Sequence, residues 1–467
     1  MAKRDIKTYV HICGYEKRSA NRPSGLCPQC GTYITDESIR VVSDAPEGEK
    51  ISTGLKTRST GSIETRASSI NEIKGTVLER FQTGIEELDR VLGGGFVTGE
   101  VVLLSGFPGS GKSTLSLRIA EEFAKRSGTV LYSSGEESVQ QIGMRAMRMN
   151  VDNDNIKVIN ETNLSTLHAH IMEEKPKFIV VDSLQTIASD DVNSSIGSIA
   201  QSKEAAHFLT ALAKKHDITM VLISQVSKSG DFSGSEAIQH IVDCTLMLES
   251  DSNSPLKFLR AKKNRFGDTS EVGIFQHSDE GLTEVSDPSG ILIDEDEDAI
   301  QGVSRTFISE GVRQIPVEIH SLVTSEAFFT NPRITFEGAD YGRGQMIIAA
   351  MNKYCNLRLQ DHDVFVGTVS GLKVHDPMSD LAIAAAIMSS LKDIKSKNRT
   401  AYVGEVTLTG QIRGSFMMEQ KIKEAERLGF DRIIIPDTSY KSIDLKKFQK
   451  IKIIGIKNIY ELKSKIV

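Results

Sequence analysis

The sequence predicts an α/β fold organised around a nucleotide-binding sheet, with a small cysteine-bearing module before it and a second α/β domain after it. Three observations carry this prediction. A glycine-rich phosphate loop stands between an apolar run and an amphipathic helix, and short apolar runs alternate with helical patterns around it. At 467 residues the chain also exceeds what one core usually supports, so two or three domains are expected. The expected boundaries are a finger-like module over 1–35, a linker over 36–75, a nucleotide-binding domain over 76–290 and a C-terminal domain over 300–467.

Bulk properties exclude several classes. Apolar residues make up 39% of the chain and charged residues 25%, ordinary for a globular protein and unlike a membrane or collagen chain. No apolar run is long enough to span a bilayer, and Met1-Ala2-Lys3-Arg4-Asp5 lacks the apolar core of a signal peptide, which points to the cytoplasm. Three of the five cysteines crowd between Cys13 and Cys30 and do not make a disulfide framework, so they read as metal ligands or as nothing. A net charge of −6 argues against a uniformly basic nucleic-acid coat but leaves room for a channel built from local basic patches.

Taken in order, residues 36–75 are rich in Ser, Thr, Gly, Glu and Lys and poor in large apolar residues, the composition of a linker that cannot bury a core. Five apolar runs follow: Val101-Val102-Leu103-Leu104, Val130-Leu131-Tyr132, Phe178-Ile179-Val180-Val181, Met220-Val221-Leu222-Ile223 and Leu246-Met247-Leu248. Flanked by helical patterns, they read as buried strands of a largely parallel sheet. The acidic run Asp294-Glu295-Asp296-Glu297-Asp298 reads as a solvated linker. Beyond it lie further strands, Val364-Phe365-Val366 and Ile433-Ile434-Ile435, and a helical stretch from Met378 to Leu391, an independent α/β domain.

The stretch Gly106-Phe107-Pro108-Gly109-Ser110-Gly111-Lys112-Ser113 fits G-x-x-x-x-G-K-[ST], directly after a strand and before a helix that opens with Thr114. The glycines let backbone N–H groups converge on phosphate oxygens, Lys112 neutralises the β- and γ-phosphates of ATP, and Ser113 offers its hydroxyl to magnesium. Asp182, ending the run Phe178-Ile179-Val180-Val181, supplies the second group near that metal. Glu136, just past Val130-Leu131-Tyr132, is placed to orient water against the γ-phosphate, with Glu137 the alternative. Gln225 ends Leu222-Ile223-Ser224 and could sense the γ-phosphate and relay its presence to the loop at 227–235, or merely cap backbone.

With these residues in this order, and with Phe81-Gln82-Thr83-Gly84-Ile85-Glu86-Glu87-Leu88-Asp89 leading into Gly93-Gly94-Gly95, the middle domain resembles the RecA-superfamily ATPases. Lys263-Asn264-Arg265-Phe266-Gly267 is identical to the signature of the bacterial RadA family, and Tyr132 and Ser134-Gly135-Glu136-Glu137-Ser138 are similar to it as well. The resemblance runs from the N-terminal cysteines through the C-terminal block. It implies a RecA-like core, a zinc-finger-like N-terminus and a Lon-protease-like C-terminal domain. It further implies a DNA-stimulated ATPase that acts in repair of DNA damage, promoting branch migration of recombination intermediates. The implied partners are single-stranded and branched DNA, a RecA-type recombinase, and further copies of the chain in a ring, a hexamer by the habit of the family.

Lys263 and Arg265, separated by one residue, would point to the same side of an extended strand end. The uses open to them are ATP bound by a neighbouring subunit, DNA phosphate, or nothing beyond a solvated turn. The stretches 194–204 and 227–236, rich in Ser and Gly, fall where RecA-like motors carry DNA-contacting loops, with Lys203 and Lys228 as phosphate contacts.

Cys27-Pro28-Gln29-Cys30-Gly31 makes a good half of a zinc site, since C-x-x-C places two thiolates on one metal. The other half departs from the family pattern. Val10 stands where a ligand is expected in Val10-His11-Ile12-Cys13, leaving either a zinc site of His11, Cys13, Cys27 and Cys30 or a decayed finger.

The C-terminal block is similar to the Lon protease domain through Gly371-Leu372-Lys373, Asp376-Pro377-Met378-Ser379-Asp380-Leu381-Ala382 and Gly404-Glu405-Val406-Thr407-Leu408-Thr409-Gly410. A Lon-type peptidase needs a serine nucleophile and a lysine base. Those positions hold Met378 and Glu419, with Ser379 and Lys421 nearby but out of register, so a non-proteolytic scaffold for assembly and DNA binding is expected. Three other functions compete with the branch-migration motor: a filament-forming recombinase, an ATP-dependent peptidase and a signalling ATPase of the KaiC type. The signature at 263–267 and the Lon-like block disfavour the first and last, and the displaced dyad disfavours the peptidase.

Overall fold

A computed structural model describes the backbone of residues 7–11, 16–19 and 39–42, and the chain from 79 to 466 apart from 127, 227–232, 251–253, 279–280, 294–299, 328–331, 396–398 and 416. The chain divides into two units, Met1–Arg66 and Ala67–Val467. The first contains a three-stranded antiparallel sheet in the order Glu16–Ser19, Lys7–His11, Ile39–Val42. His11 closes the central strand opposite Ile39, while Cys13, Cys27 and Cys30 lie outside the described residues.

The second unit is built on two sheets. The larger has nine strands, and its parallel part runs Ile156–Asn160, Val130–Ser134, Phe178–Asp182, Thr219–Gln225, Val101–Gly106, Cys244–Ser250. All five apolar runs are strands of this part. They carry continuous apolar sequence because helices cover both faces of a parallel sheet. The sixth, Ile156–Asn160, lies at the edge and is half exposed, which is why its sequence lacks an apolar run. Three antiparallel strands, Leu256–Asn264, Val272–Ser278 and Gly281–Glu284, extend the other side.

Aromatic stacking fixes the phosphate-loop helix on this sheet. The Phe123 ring stacks on Phe81 at 3.7 Å and on Phe178 at 4.0 Å between centroids, joining helix Lys112–Arg126 to the strand that ends in Asp182. Helix Val139–Arg148 starts at a reciprocal cap, in which Gln141 N donates to Ser138 Oγ (3.3 Å) and Ser138 N to Gln141 Oε1 (2.8 Å). At the start of the central strand Val101–Gly106, Glu100, 2% exposed, accepts from Val97 N at 2.8 Å. Burial pushes its carboxyl up to about 7.

The smaller sheet has seven strands in the order Ile334–Glu337, Val364–Thr368, Arg313–Val323, Val303–Glu310, Thr400–Tyr402, Arg432–Pro436, Lys452–Ile456. Helix Asp380–Lys392, buried from Asp380 through Ser389, packs across it. The helical stretch expected to begin at Met378 begins at Asp380, because the Asp376 side chain caps Met378 N at 3.0 Å and Pro377 opens a single 3₁₀ turn first.

The tip of the hairpin joining Val303–Glu310 to Arg313–Val323 reaches the nucleotide-binding domain. Arg313 pairs with Glu87, a fully buried carboxylate that also accepts from Ile274 N at 2.8 Å, and donates to Ser286 O at 2.9 Å. Glu310 pairs with Arg260 on strand Leu256–Asn264, and Val312 N donates to Ser270 O at 3.0 Å.

Candidate active site

Four of the parallel strands bring their carboxyl ends to one crevice. Strand Val101–Gly106 turns into the phosphate loop, where Gly109 (φ +76°) and Gly111 (φ +104°) hold conformations that L side chains resist, and the helix begins at Lys112. Lys112 is 6% exposed, and its ammonium donates to Gly106 O and Phe107 O, both at 2.9 Å. Burial pushes its pKa down, and the charges of Asp182 and Glu136 oppose that shift.

Asp182 stands at the end of its strand, 3% exposed. Its carboxylate lies near Ser113 and accepts from the Tyr132 hydroxyl at 3.0 Å on Oδ2. Burial raises the Asp182 pKa against the lowering influence of Ser113 and Tyr132, and it drives the Tyr132 phenol well above its ordinary value. A hydroxyl and a carboxylate side by side at the start of the phosphate-loop helix are oxygen donors of the kind magnesium takes, so the residues expected to hold that ion fit it.

The structure separates the two neighbouring glutamates. Glu136 accepts from Gln225 Nε2 at 2.9 Å on each oxygen and from the Ser183 hydroxyl, so it faces the crevice. Glu137 pairs instead with Arg145 of helix Val139–Arg148. The turn that parts them hangs on Ser134 Oγ, which accepts from both Glu136 N (3.3 Å) and Glu137 N (3.0 Å). Gly135 fits there because a Cβ would lie 2.1 Å from Thr186 Oγ1. Gln225 is itself exposed, while Gln185 Nε2 donates to its carbonyl (3.2 Å) and to Ser224 Oγ (2.8 Å). The crevice thus gathers a glycine-rich loop, the Ser113 hydroxyl and Asp182 carboxylate, and a second carboxylate aimed across it by an amide.

Sequence reasoning missed Ser183, Tyr132 as a partner of Asp182, and Arg145 as the partner of Glu137. For Ser183 a signal was present: a polar residue one step past a strand end shares the crevice with its neighbour.

Lys263 and Arg265 do converge on one side, and there they meet partners in their own chain. Lys263 Nζ donates to Gln239 O and Val242 O, both at 2.7 Å, closing the end of helix Ser233–Gln239. Arg265 pairs with Asp243 at 2.9 Å while its side chain stays 47% exposed. Asp243 also holds Lys214 (3.1 Å) and accepts from Val101 N (3.2 Å). Asn264 donates to Leu92 O (3.3 Å), Arg80 to Phe266 O, and Gly267 lies against Gly93, so the five-residue signature clasps the glycine turn at 93–95. Lys203 is exposed on helix Ile199–His216, and Lys228 lies outside the described residues.

In the C-terminal domain Lys421 is fully buried and donates to Asp376 Oδ2 (2.9 Å) and Phe307 O, and the Ser379 hydroxyl donates to Asp376 O (2.7 Å). Burial pushes the Lys421 pKa down against the pull of Asp376. Met378 is buried, and Glu419 pairs at the surface with Lys447 at 3.5 Å. Among the described residues no group of three or more His, Cys, Asp or Glu side chains is arranged to hold a metal ion, and no helix is long and apolar enough to cross a membrane.

Comparison with known proteins agrees with this architecture. Residues 66–231 match the AAA domain family, and residues 344–439 match the family described as subunit ChlI of Mg-chelatase. The chain is 38% identical, over 99% of its length and 98% of the relative, to the DNA repair protein RadA of Bacillus subtilis (strain 168). It is 36% identical to that of Listeria monocytogenes serovar 1/2a, over 98% of both chains. Against that of Haemophilus influenzae it is 37% identical over 93% of both.

Proposed function

The chain belongs to the RadA family of DNA repair proteins, with a RecA-like P-loop ATPase core, and from that premise we propose that it is a DNA-stimulated ATPase driving branch migration of recombination intermediates. The observation that carries the ATPase reading is the crevice itself: Lys112, Ser113, Asp182, Glu136 and Gln225 meet at neighbouring strand ends although they are scattered over more than a hundred residues. In this reading Gly106 through Thr114 cradle the phosphates of ATP, and Ser113 and Asp182 hold magnesium, which when bound neutralises charge developing on the phosphates. Glu136 orients the attacking water, and its contact with Gln225 supports that amide as the relay to the loop at 227–235.

The partners are single-stranded and branched DNA, a RecA-type recombinase and further copies of the chain in a ring. Arg265, half exposed beside Asp243, is the group we assign to DNA phosphate or to a neighbouring subunit's ATP. Lys263 acts beside it by holding the segment at 239–242. The C-terminal domain is a scaffold rather than a peptidase. Supporting this, the Lys421 amine and the Ser379 hydroxyl are each engaged by Asp376 instead of standing as base and nucleophile. Zinc at His11, Cys13, Cys27 and Cys30 remains part of the proposal, as do domain borders at 75, 290 and 300 and a cytoplasmic location, whereas a module ending at 35 would cut off strand Ile39–Val42 from the sheet it pairs in. ATP turnover with and without single-stranded DNA tests the function, since a signalling ATPase would turn over equally in both.

A further inference from the structure

We infer that Tyr132 is a positioning residue for the metal-binding carboxylate, acting through its hydroxyl on Asp182. The inference rests on the ATPase reading and deepens it. Strand Val130–Ser134 runs parallel to Phe178–Asp182 with Ser134 opposite Asp182, so Tyr132 starts two residues behind the crevice, opposite Val180. Its ring lies wholly within the core, among the cluster that includes Phe178, Val180 and Ile142. Packing alone would be served by phenylalanine. The hydroxyl adds a polar group to a dry site, a cost that only a hydrogen bond offsets, and the partner it has is Asp182 Oδ2 at 3.0 Å.

A phenol suits this task better than a basic residue. It is neutral, so it fixes the orientation of the carboxylate without cancelling the negative charge that attracts a cation. With one oxygen held by Tyr132, Asp182 is set in one orientation before metal and nucleotide arrive. Lys112 is correspondingly free of that duty, since its ammonium donates to Gly106 O and Phe107 O.

The test is Tyr132→Phe, read by equilibrium affinity for a fluorescent ADP analogue with excess magnesium and with EDTA. The expected result is unchanged affinity in EDTA and a gain from magnesium that is about tenfold smaller than in the unaltered chain, the order of one charge-assisted hydrogen bond. The same substitution made in an Asp182→Asn chain should then have little further effect. A gain from magnesium equal to that of the unaltered chain overturns the inference. So does an equal loss in EDTA, an effect of full size in the Asp182→Asn background, or a variant that does not fold, because each makes the hydroxyl a prop of the core. Absence of any magnesium effect in the unaltered chain would instead sink the ATPase reading itself.

Discussion

Glu136 and Gln225 meet across the end of an intervening strand: Gln225 Nε2 lies 2.9 Å from both carboxylate oxygens of Glu136, while strand Phe178–Asp182 runs between their two strands. An amide that holds both oxygens sets the direction in which the carboxylate can accept a proton or orient water. Gln225→Ala should therefore keep nucleotide binding and lower turnover by about 10- to 100-fold. It should also flatten the response to DNA, because the relay to 227–235 is cut. Steady-state turnover with and without single-stranded DNA checks both; a variant with full DNA stimulation would leave Gln225 as a backbone cap.

Glu100 ties stability to pH. Its folded pKa, about 7, lies above the unfolded value of 4.5, so the folded state binds the extra proton. Stability is then highest below pH 4.5 as far as this group is concerned, falls as pH rises from 4.5 to 7, and stays lower above that. Glu100→Gln, which keeps an acceptor for Val97 N, should stabilise the chain at pH 8 by up to about 3 kcal/mol and by little at pH 4.5. Urea unfolding at the two pH values measures this, and an equal effect at both would contradict it.

The signature cations should separate by what each holds. Lys263→Ala removes the group closing helix Ser233–Gln239 and should cost about 1 kcal/mol of stability along with activity. Arg265 is half exposed, and Asp243 keeps Lys214 when it is removed, so Arg265→Ala should cost under about 1 kcal/mol. It should nonetheless keep nucleotide binding and lose branch migration. Joint-molecule extension beside thermal unfolding distinguishes the two variants, and normal extension by Arg265→Ala would take it out of the mechanism.

Arg313 and Glu87 bind the two α/β domains through a buried charge. Arg313→Ala removes the closer of the two cations on a fully buried carboxylate, leaving Arg90 at 3.6 Å, and should cost about 2–3 kcal/mol. Pairing it with Glu87→Gln should recover part of that loss, since the buried negative charge is then gone and only the more exposed Arg90 loses a partner. Denaturant unfolding of the single and double variants checks the coupling; additive losses would show that the pair does not act as one.

Legibility in the sequence followed distance along the chain and burial. The phosphate loop was readable because its residues are consecutive, and Glu136, Asp182 and Gln225 because each stands at or just past the end of an apolar run. Tyr132 on Asp182 was not readable, because the contact depends on strand order, which brings Val130–Ser134 beside Phe178–Asp182. Arg313 on Glu87 spans 226 residues and two domains. The partners of Lys263 and Arg265 were equally hidden: two cations on a strand end look solvent-facing until the turn at 239–243 is folded against them. At Ser379 and Lys421 sequence register led to the expectation of a displaced dyad but could not show that both side chains contact Asp376, which needs the strand and helix packing of the folded chain.

The central claim is that this crevice hydrolyses ATP in response to DNA. The most direct measurement is ATP turnover in magnesium, with and without single-stranded DNA, by the unaltered chain and by Lys112→Ala and Glu136→Gln. The account predicts turnover that DNA stimulates in the unaltered chain. It also predicts turnover reduced at least about 100-fold in both variants, with Glu136→Gln still binding nucleotide. Turnover indifferent to DNA, or retained by Lys112→Ala, would contradict it.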